Sequence, residues 1–165
     1  NQMSYLKMEN TKEDRVKIIF VPSYLNGNDG IFNLSYYDLL IGMDVTVFPS
    51  YYEPWGYTPH ESIAFSVPTI TTSLAGFGLW MRKMGDERGM DDGAEVITRD
   101  DYNFIEVSED ICNRVFEMTT KSAEQEKILR QAALERASMA NWEHFFKYYE
   151  EAYIEALSKV ADRRI

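Results

Sequence analysis

The chain has 165 residues, 45% of them apolar, a formal net charge of −10 and one cysteine. That is enough apolar material for the core of one ordinary domain, and the acidic balance argues against nucleic acid, which is held by Lys and Arg displacing counterions from phosphate. No apolar run reaches the roughly 18 residues of a membrane span and no charged-then-apolar leader is seen, while the lone Cys112 has no disulfide partner, so the expected setting is the reducing cytoplasm.

In chain order, residues 16–21 form a compact apolar run ended by Pro22 and read as a buried strand. A turn-rich loop follows through Asn26-Gly27-Asn28-Asp29-Gly30. It lacks the lysine of a phosphate loop and the spaced carboxylates of a calcium loop, so it is read as a connection. Ser35 is placed to cap a helix from Tyr36 to about Ile41 that stops at Gly42. Residues 45–50 are β-branched and read as a strand, 58–66 as a helix, and 68–72 as a further strand. Residues 77–84 read as a helix, 95–98 as a strand and 108–119 as a helix, on which Cys112 is expected to be buried.

This alternation of strand and helix is the signature of an α/β fold with a parallel sheet. From about residue 121 to 161 the chain reads as a helical tail that breaks near Asn141. Its apolar stripe, Trp142, Phe145, Phe146, Tyr149 and Tyr153, is expected to pack into the core, the alternative being a docking surface. One domain is expected over 1–165, with an α/β part over about 16–120. His60 and His144 are too few and too far apart for a metal site.

The most informative stretch runs from the end of the strand at 45–50 into the next helix, at the sheet edge where open α/β folds bind ligands. Thr58, Pro59 and Glu61 occupy the positions of N-cap, N1 and N3, so a capping box is predicted. Gly56 leaves the backbone approachable, and the free N–H groups at the helix start favour phosphate. Glu53 lies eight residues before Glu61, which lets two carboxylates serve a sugar's hydroxyls. Between Val21 and Met81 there is no Lys or Arg, while Asp29, Asp38, Asp44, Glu53 and Glu61 fall there. A pyrophosphate at this loop therefore lacks a nearby cation from its own segment.

The run Ser50-Tyr51-Tyr52-Glu53-Pro54-Trp55-Gly56-Tyr57-Thr58-Pro59-x-Glu61 resembles the signature of glycogen synthases of the animal and fungal type. The resemblance extends upstream through Tyr36-Tyr37-Asp38-Leu39-Leu40-Ile41-Gly42 and downstream through Ser73-Leu74-Ala75-Gly76-Phe77-Gly78. It implies a retaining glucosyltransferase of the GT-B architecture, two facing Rossmann-like domains, that moves glucose from UDP-glucose or ADP-glucose to an α-1,4-glucan without a metal or other cofactor. By position, Tyr36 would stack on the base, Glu61 would hold the ribose, and Thr58 with the backbone near Gly56 and Tyr57 would contact the pyrophosphate. Glu53 would be the catalytic group beside the donor glucose.

The resemblance also places the phosphate-binding Arg and Lys, and the acceptor-binding domain, before this segment. The chain opens at Asn1 without a methionine and its first expected strand, 16–21, already belongs to the middle of such a domain, so it reads as the donor-binding half, inactive alone, of a longer enzyme. Eukaryotic members carry a dense arginine cluster for glucose 6-phosphate. The corresponding stretch here offers only Lys127, Arg130 and Arg136, and sensing of that kind is not expected. The rival readings are a non-catalytic interaction or sensing module on the same fold and, less favoured, a phosphorylase.

Overall fold

The computed structural model describes residues 2–84 and 89–160, in two compact units, 1–39 and 40–165. The helical tail is described as far as residue 160, and residue 161 lies outside the described residues.

The first unit contains helix α1, Gln2–Tyr5, and most of α2, Tyr36–Leu40. Residues 16–21 are not a strand here. Strand pairing needs free backbone groups, and at Ile18 both are taken: the Asn10 side chain accepts from its N–H at 2.8 Å and donates to its carbonyl at 2.6 Å. Apolarity alone predicted a buried strand, yet Val16, Ile19 and Phe20 are exposed. The loop that follows closes on itself, because the Asp29 carboxylate accepts from the N–H groups of Ile31, Phe32 and Asn33 at 2.7–3.0 Å. Those backbone bonds, the one from Phe32 foremost, lower the pKa of Asp29. Ser35 caps α2 as expected, accepting from Asp38 N–H at 3.3 Å and donating to its carboxylate at 2.6 Å.

The second unit is a parallel sheet in the order β1-β2-β3, with strands Thr46–Val47, Thr69–Thr72 and Ala94–Ile97. Thr46 and Val47 face Thr69 and Ile70, and Thr69 to Thr72 face Ala94 to Ile97. Helix α3, Tyr57–Ala64, crosses from β1 to β2, and α4, Gly76–Met84, leads from β2 toward β3. Two long helices, α5 (Phe104–Met118) and α6 (Ala123–Ser138), and the last helix, α7 (Trp142–Ser158), complete it. The tail breaks where the sequence placed the break, with Asn141 as the residue before α7.

Side chains alternate across a strand, and β3 accordingly feeds two cores. Ala94 and Val96 join Ile63, Phe77, Met81, Ala133 and Ala137, whereas Ile97 joins Ile70, Val107, Met118 and Leu129. Strand β2 is wholly buried despite its threonines. Their hydroxyls are largely paired: Thr46 Oγ1 donates to Thr69 Oγ1 at 2.9 Å, and Thr72 Oγ1 donates to the Ser50 carbonyl at 2.7 Å.

Three further expectations change. Helix α5 starts at Phe104, four residues before the predicted Ser108, because Asn103 and Asp100 form a turn that launches it. Cys112 is exposed, since Val107, Ile111, Val115 and Met118 form the inward face of α5 at three- and four-residue spacing and Cys112 falls off it. The aromatic stripe of α7 is not core: α7 has no buried residue, and Trp142, Tyr149 and Tyr153 are exposed. Phe145 alone of that stripe is half-buried, against Trp55 and Trp80.

Arg130 and Arg136, two of the three cations of α6 considered above, are engaged with backbone and acids of this unit. Arg130 donates to the carbonyls of Met43 and Ser66, and Arg136 meets Asp92 at 2.9 Å and the Met84 carbonyl.

Candidate functional site

The loop from Pro49 to Gly56 leaves the carboxyl end of β1 and is tied to other segments through the carbonyls of Pro49, Ser50, Glu53 and Trp55. Arg99 Nη1 donates to the Pro49 carbonyl at 2.6 Å. Thr72 holds Ser50. Glu53 pairs with the β2–α4 turn, donating to the Leu74 carbonyl at 3.2 Å and accepting from Gly76 N–H at 3.0 Å. The Trp55 carbonyl accepts from Phe77 N–H at 2.6 Å. The loop is thus an extension of the parallel sheet beyond its strands, with Glu53 bridging to Ala75.

Gly76 makes this approach possible. A Cβ there would stand 2.1 Å from the Pro54 carbonyl oxygen, so only glycine lets the two loops pass. Trp55 anchors the loop from below, edge-on to Phe77 and Phe145 at 5.9 and 5.5 Å. Its indole N–H donates to His60 Nδ1 at 3.4 Å, and His60 stacks on Phe77. Burial lowers the pKa of His60, against opposing contributions from the Ala137 carbonyl and Glu61.

The helix start differs from the predicted capping box. Helix α3 opens at Tyr57, its N-cap is Gly56 at φ +102°, and no side chain caps it. Thr58 is already inside the first turn, so its hydroxyl does not sit at the cap, and with Pro59 at N3 Glu61 is two positions too far along for the reciprocal bond. The reason lies in the chain path: the turn through Pro54 and Trp55 needs a left-handed residue to enter the helix, and Gly56 supplies it. A Cβ on Gly56 would lie 3.4 Å from Glu53 Cγ, which places the stem of Glu53 beside the helix start. Glu53 and Glu61 are half-buried, and Tyr57 and Thr58 are exposed. The structure therefore gathers Glu53, Gly56, Tyr57, Thr58 and Glu61 around one loop-to-helix junction. Tyr36 belongs to the first unit, where it opens α2 and meets Tyr37 edge-on at 5.3 Å.

The glycogen synthase family model matches residues 1–164. The chain belongs to that family. It is 34% identical over 153 residues to "Glycogen [starch] synthase isoform 1" of Saccharomyces cerevisiae, covering 92% of this chain and 22% of that protein. It is 34% identical over 154 residues to "Glycogen [starch] synthase, liver" of Homo sapiens, covering 91% and 21%. A Neurospora crassa "Glycogen [starch] synthase" matches at 34% over 152 residues, 92% of this chain and 21% of that protein. The chain thus spans about a fifth of the length of these relatives.

Membership of the glycogen synthase family agrees with the resemblance carried by the 50–61 motif. Residue-by-residue reading missed Arg99, which reaches the loop from 50 positions away in sequence. The count of cations between Val21 and Met81 holds for that segment but not for the site's surroundings, because the sheet order brings the end of β3 alongside. It also missed Trp55 as the loop's anchor. The signal for it was available, since a tryptophan between Pro54 and Gly56 in an otherwise polar turn is an unusual placement for so large an apolar side chain. No helix of the described residues is long and apolar enough to cross a membrane.

Proposed function

We propose that the protein containing this chain is a cytoplasmic glucosyltransferase that moves glucose from a nucleoside diphosphate donor, UDP-glucose or ADP-glucose, to an α-1,4-glucan, and that this segment holds the donor. Family membership over nearly the whole chain carries the reading. The junction supports it chemically. With Gly56 at the cap and no side-chain cap bond, the first N–H groups of α3 remain available to a pyrophosphate. In this reading Thr58 and the backbone of Gly56 and Tyr57 contact that pyrophosphate. Glu61 accepts from the ribose hydroxyls, and Glu53 lies beside the donor glucose, where its charge supports an oxocarbenium-like centre. The acceptor glucan, and the cations that complete the phosphate site, are assigned to a preceding domain.

The test is calorimetric titration of the 165-residue chain, and of a version extended at its amino end, with UDP, ADP and their glucose conjugates. Binding by the extended protein that weakens by about tenfold or more on Glu61→Ala, a loss of roughly 1.4 kcal/mol, supports the assignment and names the base. Failure of both folded proteins to bind any of the four ligands would sink it.

A further inference from the structure

Three strand ends meet at the carboxyl edge of the sheet, and one arginine stitches them together. Arg99 follows β3 by two residues. Its N–H donates to Ser73 Oγ, just past β2, at 3.0 Å, and its guanidinium donates to the Pro49 carbonyl, just past β1. The guanidinium carbon lies 3.8 Å from the centre of the Tyr51 ring. Arg99 is only 7% exposed, and its Nε is buried without an acceptor.

A buried arginine that leaves one N–H unsatisfied is not explained by stability alone, because each unpaired buried donor opposes folding. An apolar side chain of similar length would fill the space without that cost. What the guanidinium adds is a plane and a fork: it bonds a carbonyl while its face lies on an aromatic ring, which neither an apolar residue nor lysine does together. Tyr51 itself is 52% exposed. Tyr51 stands two residues before Glu53.

We propose that Arg99 is a positioning residue of the donor site: through the Pro49 carbonyl and the Tyr51 ring it fixes the first half of the loop that carries Glu53. The inference rests on the donor-site reading above. Its action is on the geometry of the loop in the reacting complex rather than on donor affinity, so its loss falls on kcat more than on KM.

The test is steady-state glucosyl transfer by the full-length protein, with each rate normalised to the folded fraction from thermal unfolding. Arg99→Met is expected to lower kcat about tenfold while the donor KM changes less than about threefold. Arg99→Lys, which keeps the carbonyl bond but not the stacked plane, is expected to recover part of the loss. Tyr51→Leu removes the stack from the exposed side and leaves the buried arginine in place. It is expected to lower kcat several-fold with a Tm within about 2 °C of the parent. The double variant Arg99→Met, Tyr51→Leu is expected to lose no more than Arg99→Met alone, because both act through one contact.

If Arg99→Met does not fold, Arg99→Lys and Tyr51→Leu carry the test. Parental kcat and KM in both of those, with Glu61→Ala impaired, overturn the inference and leave the donor site standing. Parental behaviour of Glu61→Ala overturns the donor-site reading and this inference with it.

Discussion

The loop from Pro49 to Gly56 and helix α7 invert the usual expectation about order. The loop has almost no regular structure, yet its carbonyls at Pro49, Ser50, Glu53 and Trp55 are each bonded by another segment. Helix α7 is 17 residues of unbroken helix, yet none of them is buried and most of its aromatic rings face outward. Backbone regularity is a local property satisfied by i to i−4 bonds, whereas placement is set by what the rest of the chain supplies. Substitutions should therefore cost more in the irregular element than in the regular one.

The largest effect is expected at Gly76. Its added Cβ in Gly76→Ala would meet the Pro54 carbonyl at 2.1 Å, an approach that only backbone movement relieves. The loss should be about 3 kcal/mol in urea unfolding, and a loss below about 1 kcal/mol would mean that the loop is not held as described. On α7, Phe145→Ala should cost about 2 kcal/mol, because its ring packs on Trp55 and Trp80 while remaining partly solvated. Tyr153→Ala, on the same stripe but 58% exposed, should change stability by less than about 0.5 kcal/mol. Equal costs at the two positions would mean that Phe145 is not the residue by which α7 is held against Trp55 and Trp80.

A smaller effect should follow pH. The pKa of His60 is lowered from its ordinary 6.5, so between the two values the unfolded chain binds more protons than the folded one. Its contribution to stability is complete above about pH 6.5 and declines as pH falls below that. Burial explains the direction, because desolvation disfavours the charged imidazolium. Thermal unfolding from pH 8 to 5 should show a shallower decline in His60→Gln than in the parent, and identical slopes would remove His60 from the loop's support. The smallest change belongs to Thr58→Ala, expected within about 0.5 kcal/mol because Thr58 is exposed and Gly56 caps the helix. A loss near 1 kcal/mol would restore the capping box.

The alternation of apolar runs at β1, β2 and β3 with amphipathic helices was enough to place an α/β unit, since side-chain periodicity reports local geometry directly. The break expected near Asn141 is found there, Asn141 being the residue before α7. The motif from Ser50 to Glu61 was readable as a family signature, and with it the position of Glu53, Gly56, Tyr57, Thr58 and Glu61 at one strand-to-helix junction.

Tertiary structure decided the rest. The strand expected at 16–21 is lost to one side-chain amide, Asn10, that takes both backbone groups of Ile18. Gly56 rather than Thr58 became the cap because the loop's path, set by its bonds to residues 74–77, needed a left-handed entry. Arg99 came to the site only through the parallel order of the strands. Local pattern specifies which segments are helix or strand, while a cation 50 residues away enters a site only when a sheet lays its strand end beside the loop.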